Sequence, residues 1–136
     1  MDHGELLSAY IAIGDKIDVL WSMYLTIVFT ASAWLYYKAD KKTHLESIVV
    51  YSGFLTFTTI NANALVDSYG FLSIIQSEMT NINTSNFGTV QEYLREINYE
   101  NRYVIVYFIH TLIAFVFLFA IFFPRLFSFG EKLAAR

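Results

Sequence analysis

An aspartate, two asparagines and a histidine stand inside stretches that are otherwise apolar. Asn61, Asn63 and Asp67 interrupt the run at residues 47–76, and His110 interrupts the run at residues 103–123. A carboxylate in an apolar span costs about 2.5 to 3.5 kcal/mol on insertion scales, so it is usually kept for a pathway, a proton, a ligand or an essential pair. Counted along helices, His110 lies about 10 Å below Tyr103 and Asp67 roughly 13 Å below Gln76. These matched depths lead us to expect an Asp67–His110 contact, within a chain or between neighbours. Such a pair holds an ionised carboxylate beside an imidazolium, or titrates as a coupled unit. The plainer alternative is a neutral His110 hydrogen-bonded to Tyr107, a hydroxyl or a carbonyl for packing alone.

Wrapped at 100° per residue, the second run collects Ser52, Thr56, Thr59, Asn63, Asp67, Gly70 and Ser77 on one face. The spacing is close to a heptad, so one polar seam stays turned toward neighbours in a left-handed bundle, and it points into protein or water. Copies of this helix around a symmetry axis would line a hydrated pathway with Thr56, Thr59, Asn63 and Asp67, and Asp67 would form a cation-favouring ring toward the outer side. The structural alternative is polar packing, for which Ser, Thr, Gly and Asn are common in membranes. Asn61 falls on the opposite face with Phe54 and Leu65, and it is expected, with Ser68, to bond another helix. In the third run Tyr103, Tyr107, His110, Ala114, Phe117 and Ile121 form the expected inward seam. Ser22, Thr26, Thr30 and Ala33 make a small-residue packing strip in the first.

Other chemistry is thinly represented. A free amine followed by Asp2 and His3 has the donors for Cu(II), but the spacing alone is a weak signal. No Ser/His/Asp cluster, carboxylate pair, glycine-rich phosphate loop or HExxH pattern appears, and the chain has no cysteine. We therefore expect no catalytic residues, no metal site and no cofactor. No basic run exists to track a nucleic acid, so nucleic-acid binding is not expected.

The elements that must position these residues are membrane helices. The chain is 56% hydrophobic and only 15% charged, with 13 Phe and 10 Tyr, a balance that needs lipid contact. Residues 19–37 carry no charge until Lys38 and measure roughly 28 Å as a helix, close to the hydrocarbon thickness. Trp21 near one end and Trp34, Tyr36 and Tyr37 at the other sit where amphipathic rings favour the headgroups. Residues 47–76, about 45 Å long, must tilt or emerge. Residues 103–123 stop at Pro124 and Arg125. Lys38, Lys41, Lys42, Arg125, Lys132 and Arg136 on one side outnumber Lys16, Arg95 and Arg102 on the other, placing the N-terminus outside and the C-terminus inside.

The expected fold is thus an all-α integral membrane protein forming a single transmembrane domain over 1–136, with three transmembrane helices. Outer segments are 1–18 and 77–102, an inner loop is 38–46, and the inner tail is 124–136. Two capping-box spacings, Asp2–Glu5 and Thr89–Glu92, suggest short amphipathic helices at the outer surface. Asp2, His3, Gly4 and Glu5 are not the basic start of a removable signal, so the first apolar segment is expected to be retained, in a cell (inner) membrane as a multi-pass protein.

Three spans enclose too little to make a transport route alone. The leading expectation is a small homo-oligomeric, channel-like protein for cations or protons, with the second helix lining the pathway and His110 supporting a proton. An accessory, non-catalytic subunit of a larger membrane-protein complex is the alternative. Three spans, an outer N-terminus and a basic inner tail also resemble holin-like lysis proteins in outline, a likeness of architecture that no particular residues carry.

Overall fold

The computed structural model describes residues 3–38, 43–81 and 101–123, together with residues 92, 96, 97 and 99. Among the described residues the long helices are α1 (His3–Tyr37), α2 (His44–Asn81) and α3 (Arg102–Phe122). All three are long and apolar enough to cross a membrane. At 1.5 Å per residue they measure about 52, 57 and 31 Å, so only α3 matches the thickness of bilayer hydrocarbon.

The amphipathic segment at 1–18 is not a separate helix, because α1 runs unbroken through Asp15, Lys16 and Asp18. The chain's one proline is Pro124, so nothing in this stretch removes a backbone donor from the ladder. The helix expected after Thr89 falls largely outside the described residues, of which Glu92 and Glu96 are helical. Asp2 and Thr89, the first residues of the two expected capping boxes, and the tail 124–136 lie outside the described residues.

The helix ends follow from local chemistry. Ahead of α2, Thr43 N–H donates to Glu46 Oε2 at 2.8 Å and Glu46 N–H donates to Thr43 Oγ1 at 3.2 Å. This reciprocal capping box satisfies backbone donors that the first turn leaves over. The Thr43 backbone N–H and the Thr43 hydroxyl, which donates to the same Glu46 Oε2 at 3.2 Å, then Lys38 Nζ at 4.0 Å, hold the Glu46 carboxyl below its ordinary range. At the other extreme Phe123 leaves α3 with φ −125° and ψ 55°. The ring of Pro124 disfavours the helical region for the residue before it, and here that residue is Phe123.

α2 lies in the middle, with α1 and α3 each packed along it. Its covered seam is Phe54, Thr58, Asn61, Leu65, Ser68 and Leu72, all buried and alternating four and three. α3 answers with Val106, His110, Ala114, Phe117 and Ile121, and α1 with Leu6, Ile17 and Tyr24. Two apolar clusters result. One joins Ile17, Ala62, Leu65, Leu72 and Val106, and the other joins Phe54, Ala114 and Phe117. Between them in sequence on all three helices come Tyr24, Thr58, Asn61 and His110, so the core is two apolar blocks divided by a polar layer. The remaining faces carry exposed Val19, Phe29, Ile60, Phe108, Leu112 and Phe115, which suit contact with lipid.

Beyond the first turn of α3, the start of α1 and the end of α2 continue side by side. The segment between α2 and α3 is tied to them there. Gln76 Nε2 donates to Ile97 O at 2.7 Å, and the Tyr10 and Tyr99 hydroxyls lie 2.8 Å apart.

Candidate functional site

His110 sits about 12 Å along α3 from Arg102 and is only 2% exposed. Its Nδ1 lies 2.8 Å from the carbonyl oxygen of Val106, one turn back on the same helix. Its Nε2 lies 3.0 Å from Asn61 Oδ1 on α2. The amide nitrogen of Asn61 donates in turn to Leu20 O on α1 at 3.0 Å. Three helices are therefore joined through one asparagine and one histidine.

α1 closes the layer with aromatic faces. The Tyr24 ring, fully buried, stacks on His110 with centroids 3.9 Å apart and 23° between planes. Trp21 adds a tilted face at 5.5 Å, and its indole N–H donates to Tyr69 OH at 3.2 Å. Two hydroxyls of the layer are left over: Tyr24 OH and Thr58 Oγ1 are buried without a hydrogen-bond partner among the described residues. Such orphaned polar groups cost about 1 to 3 kcal/mol each. A groove of about 280 Å³ between α2 and α3 is lined by Thr58, Thr59, Ala62, Tyr107 and His110, among others.

The stripe read from the sequence lies elsewhere. Ser52, Thr56, Thr59, Asn63, Asp67, Gly70 and Ser77 are all exposed on α2, on the side that α1 and α3 leave open. Thr59 Oγ1 donates to its own helix at Leu55 O. Asn63 Oδ1 accepts from Tyr107 OH at 3.0 Å, at the edge where α3 begins to cover α2. Ser22, Thr26, Thr30 and Ala33 of α1 are exposed as well, with Thr26 and Thr30 each bonded one turn back on α1. The close approach that this strip allows is not used among the described residues.

The within-chain Asp67–His110 pair is not formed, and the reason is geometric. Depths counted from helix ends compare only if the ends are level. Here Gln76 reaches Ile97, ahead of α3, so α2 overshoots the start of α3. The true pairing is antiparallel through Tyr51–Phe122, Phe54–Phe117, Asn61–His110 and Asn63–Tyr107. Continued upward it brings Asp67 level with the first turn of α3. Asp67 is also about 120° around α2 from Asn61 and about 9 Å along it.

Of the remaining expectations, Asn61 does bond another helix, through Leu20 O, whereas Ser68 is buried and donates to Ala64 O of its own helix. The inward seam of α3 holds from His110 to Ile121. Ahead of it Val106 takes the buried position, while Tyr103 and Tyr107 are exposed. Sequence reasoning missed Tyr24, Thr58 and the inward role of Trp21. The signal was present in Thr58, Asn61 and Ser68, which share a four-and-three spacing with Phe54, Leu65 and Leu72.

Comparison with protein-family models, with curated proteins and with solved structures finds no match to this chain. The class that the fold defines is, over the described residues, an all-helical protein with three helices long and apolar enough to cross a membrane.

Proposed function

We propose that this chain is a multi-pass protein of the cell (inner) membrane, N-terminus outside, that works as a small homo-oligomeric ion pathway. One observation carries the reading. The Ser52, Thr56, Thr59, Asn63 and Asp67 face of α2 is open, while α1 and α3 both pack on the other side. Hydroxyls, an amide and a carboxylate on a membrane-length helix need protein or water against them, not hydrocarbon. Copies arranged with α2 toward a common axis cover this face and keep the exposed Phe and Leu of α1 and α3 toward lipid. Asp67, level with the start of α3, then rings the outer mouth and favours cations. Its cost is smaller there than at the bilayer centre.

A second reading draws on α1. Its open Ser22, Thr26, Thr30 and Ala33 strip suits close approach of a foreign helix, as in an accessory subunit of a larger complex. The chain has no native cysteine, so a single Asn63→Cys or Thr26→Cys substitution gives a clean cross-linking probe. The pathway reading expects Asn63→Cys to cross-link copies of the purified chain, cation current after reconstitution, and loss of cation preference in Asp67→Asn. Unchanged selectivity in Asp67→Asn removes Asp67 from the pathway. A monomer stable only with a second protein, cross-linked through Thr26→Cys, favours the subunit.

A further inference from the structure

The donors and acceptors around His110 do not balance for a neutral ring. Val106 O, 2.8 Å from Nδ1, is a carbonyl oxygen and only accepts. On the other side Asn61 presents Oδ1 to Nε2 at 3.0 Å. The asparagine's orientation is fixed, because its amide nitrogen donates to Leu20 O. Turning that amide over would set Asn61 Oδ1 against Leu20 O, two acceptors with no proton between them. Both ring nitrogens therefore face oxygen acceptors, and imidazolium is the form with a proton for each. A neutral ring points one lone pair at an oxygen, or makes Asn61 let go of α1.

We propose that His110 is a proton-binding site, whose imidazolium donates to Val106 O and Asn61 Oδ1 and through Asn61 ties α3 to Leu20 of α1. The groups around the ring suit a cation. From α1 come the faces of Tyr24, at 3.9 Å, and Trp21, at 5.5 Å, whose π electrons attract positive charge. From α2 comes the neutral amide of Asn61, with Thr58 in the same groove, and from α3 the Val106 carbonyl, with Tyr107 in the groove. Tyr24 and Tyr107 are the titratable groups among these. Asp67, the carboxylate of this stretch, is on the open side of α2 and does not face the ring. Burying a cation costs desolvation, and two charge-assisted hydrogen bonds and the neighbouring aromatic rings act against that cost. The groove between α2 and α3 is lined by His110 and also by Thr59 of the open face, giving a proton a way in. Loss of the proton breaks one of the two contacts and loosens the link between the outer helices.

The inference does not depend on the pathway reading, since every bond it uses lies on the covered side of α2. Its test measures protons and stability, not current. The full chain, carrying His3→Gln and His44→Gln so that one histidine remains, is labelled with ¹⁵N in the imidazole and placed in phosphatidylcholine nanodiscs. Its ring nitrogens are followed by NMR over about pH 5 to 8. Both nitrogens should carry protons at the acidic end, and one proton should be lost within the range. In Asn61→Leu the proton affinity should fall by about tenfold or more, one pKa unit. Thermal unfolding should move to lower temperature as pH rises through the same transition, and this dependence should vanish in His110→Gln. A ring with a single protonated nitrogen throughout the range overturns the proposal, whatever the variants do.

Discussion

α2 carries two polar seams about half a turn apart, and they have opposite fates. Asn61 on the covered seam has both ends of its amide engaged, with Leu20 O and with His110, and Ser68 bonds back to Ala64 O. On the open seam, Asn63 meets Tyr107 at an edge, Thr59 bonds back to Leu55 O of its own helix, and Asp67 stands exposed. Both seams repeat at nearly 3.5 residues, and both mix hydroxyls with an asparagine. Polarity on a membrane-length helix thus has two separate uses. One seam joins the chain to itself, and the other stays exposed.

That contrast can be broken by substitution. Asn61→Leu should cost about 2 to 3 kcal/mol, because Leu20 O loses its side-chain donor and the His110 Nε2 loses its partner in a buried site. The loss is read from reversible unfolding in micelles, and a change under about 0.5 kcal/mol would deny the covered seam its structural role. Tyr24→Phe has the opposite sign. It keeps the ring stacked on His110 and removes a hydroxyl with no partner among the described residues, so a gain of up to about 1 kcal/mol is expected. A loss of similar size would mean that the hydroxyl does bond something in the native membrane. Asn63→Leu, on the open seam, should cost no more than about 0.6 kcal/mol in the same assay, the average for a hydrogen bond between membrane helices. If it matches Asn61→Leu, the two seams are not distinct in the isolated chain.

The smallest effect concerns the start of α2. The Glu46 carboxyl titrates below its ordinary range, so its contribution to stability is fully present above that range and is lost as pH falls through the lowered value. Thr43→Ala removes the hydroxyl half of the cap and the largest side-chain cause of the shift. The acid dependence of unfolding below about pH 4.5 should therefore flatten in that variant.

Much of this architecture was legible in the residues. Apolar runs of membrane length give the three helices, Pro124 gives the end of α3, and spacing gives its seam from His110 to Ile121. The entrance to that seam was misread because Tyr103 and Tyr107 fit the repeat as well as Val106 does, and aromatic hydroxyls suit either a seam or an interface. The choice between the two faces of α2 was not legible. Each face has the period of a bundle contact, and a single helix does not record which side its neighbours take. Trp21 was hidden for a related reason, since a tryptophan near the end of a span serves a headgroup or a buried ring equally well. Depth failed as a guide to Asp67 and His110 because α2 and α3 differ by about 25 Å in length and do not start together.

The division of the core by Tyr24, Thr58, Asn61 and His110 has a further consequence. Apolar helices in lipid slide past one another cheaply, since leucine against leucine is much the same one turn higher or lower. Here a one-turn slip of about 5.4 Å along the seam would set Thr58 or Leu65 of α2 opposite His110. Leu65 has no acceptor to offer, and Asn61 would be pulled off Leu20 O. A lone buried asparagine fixes alignment in coiled coils in the same manner. The polar layer works as a detent that gives three otherwise slippery helices a single vertical setting.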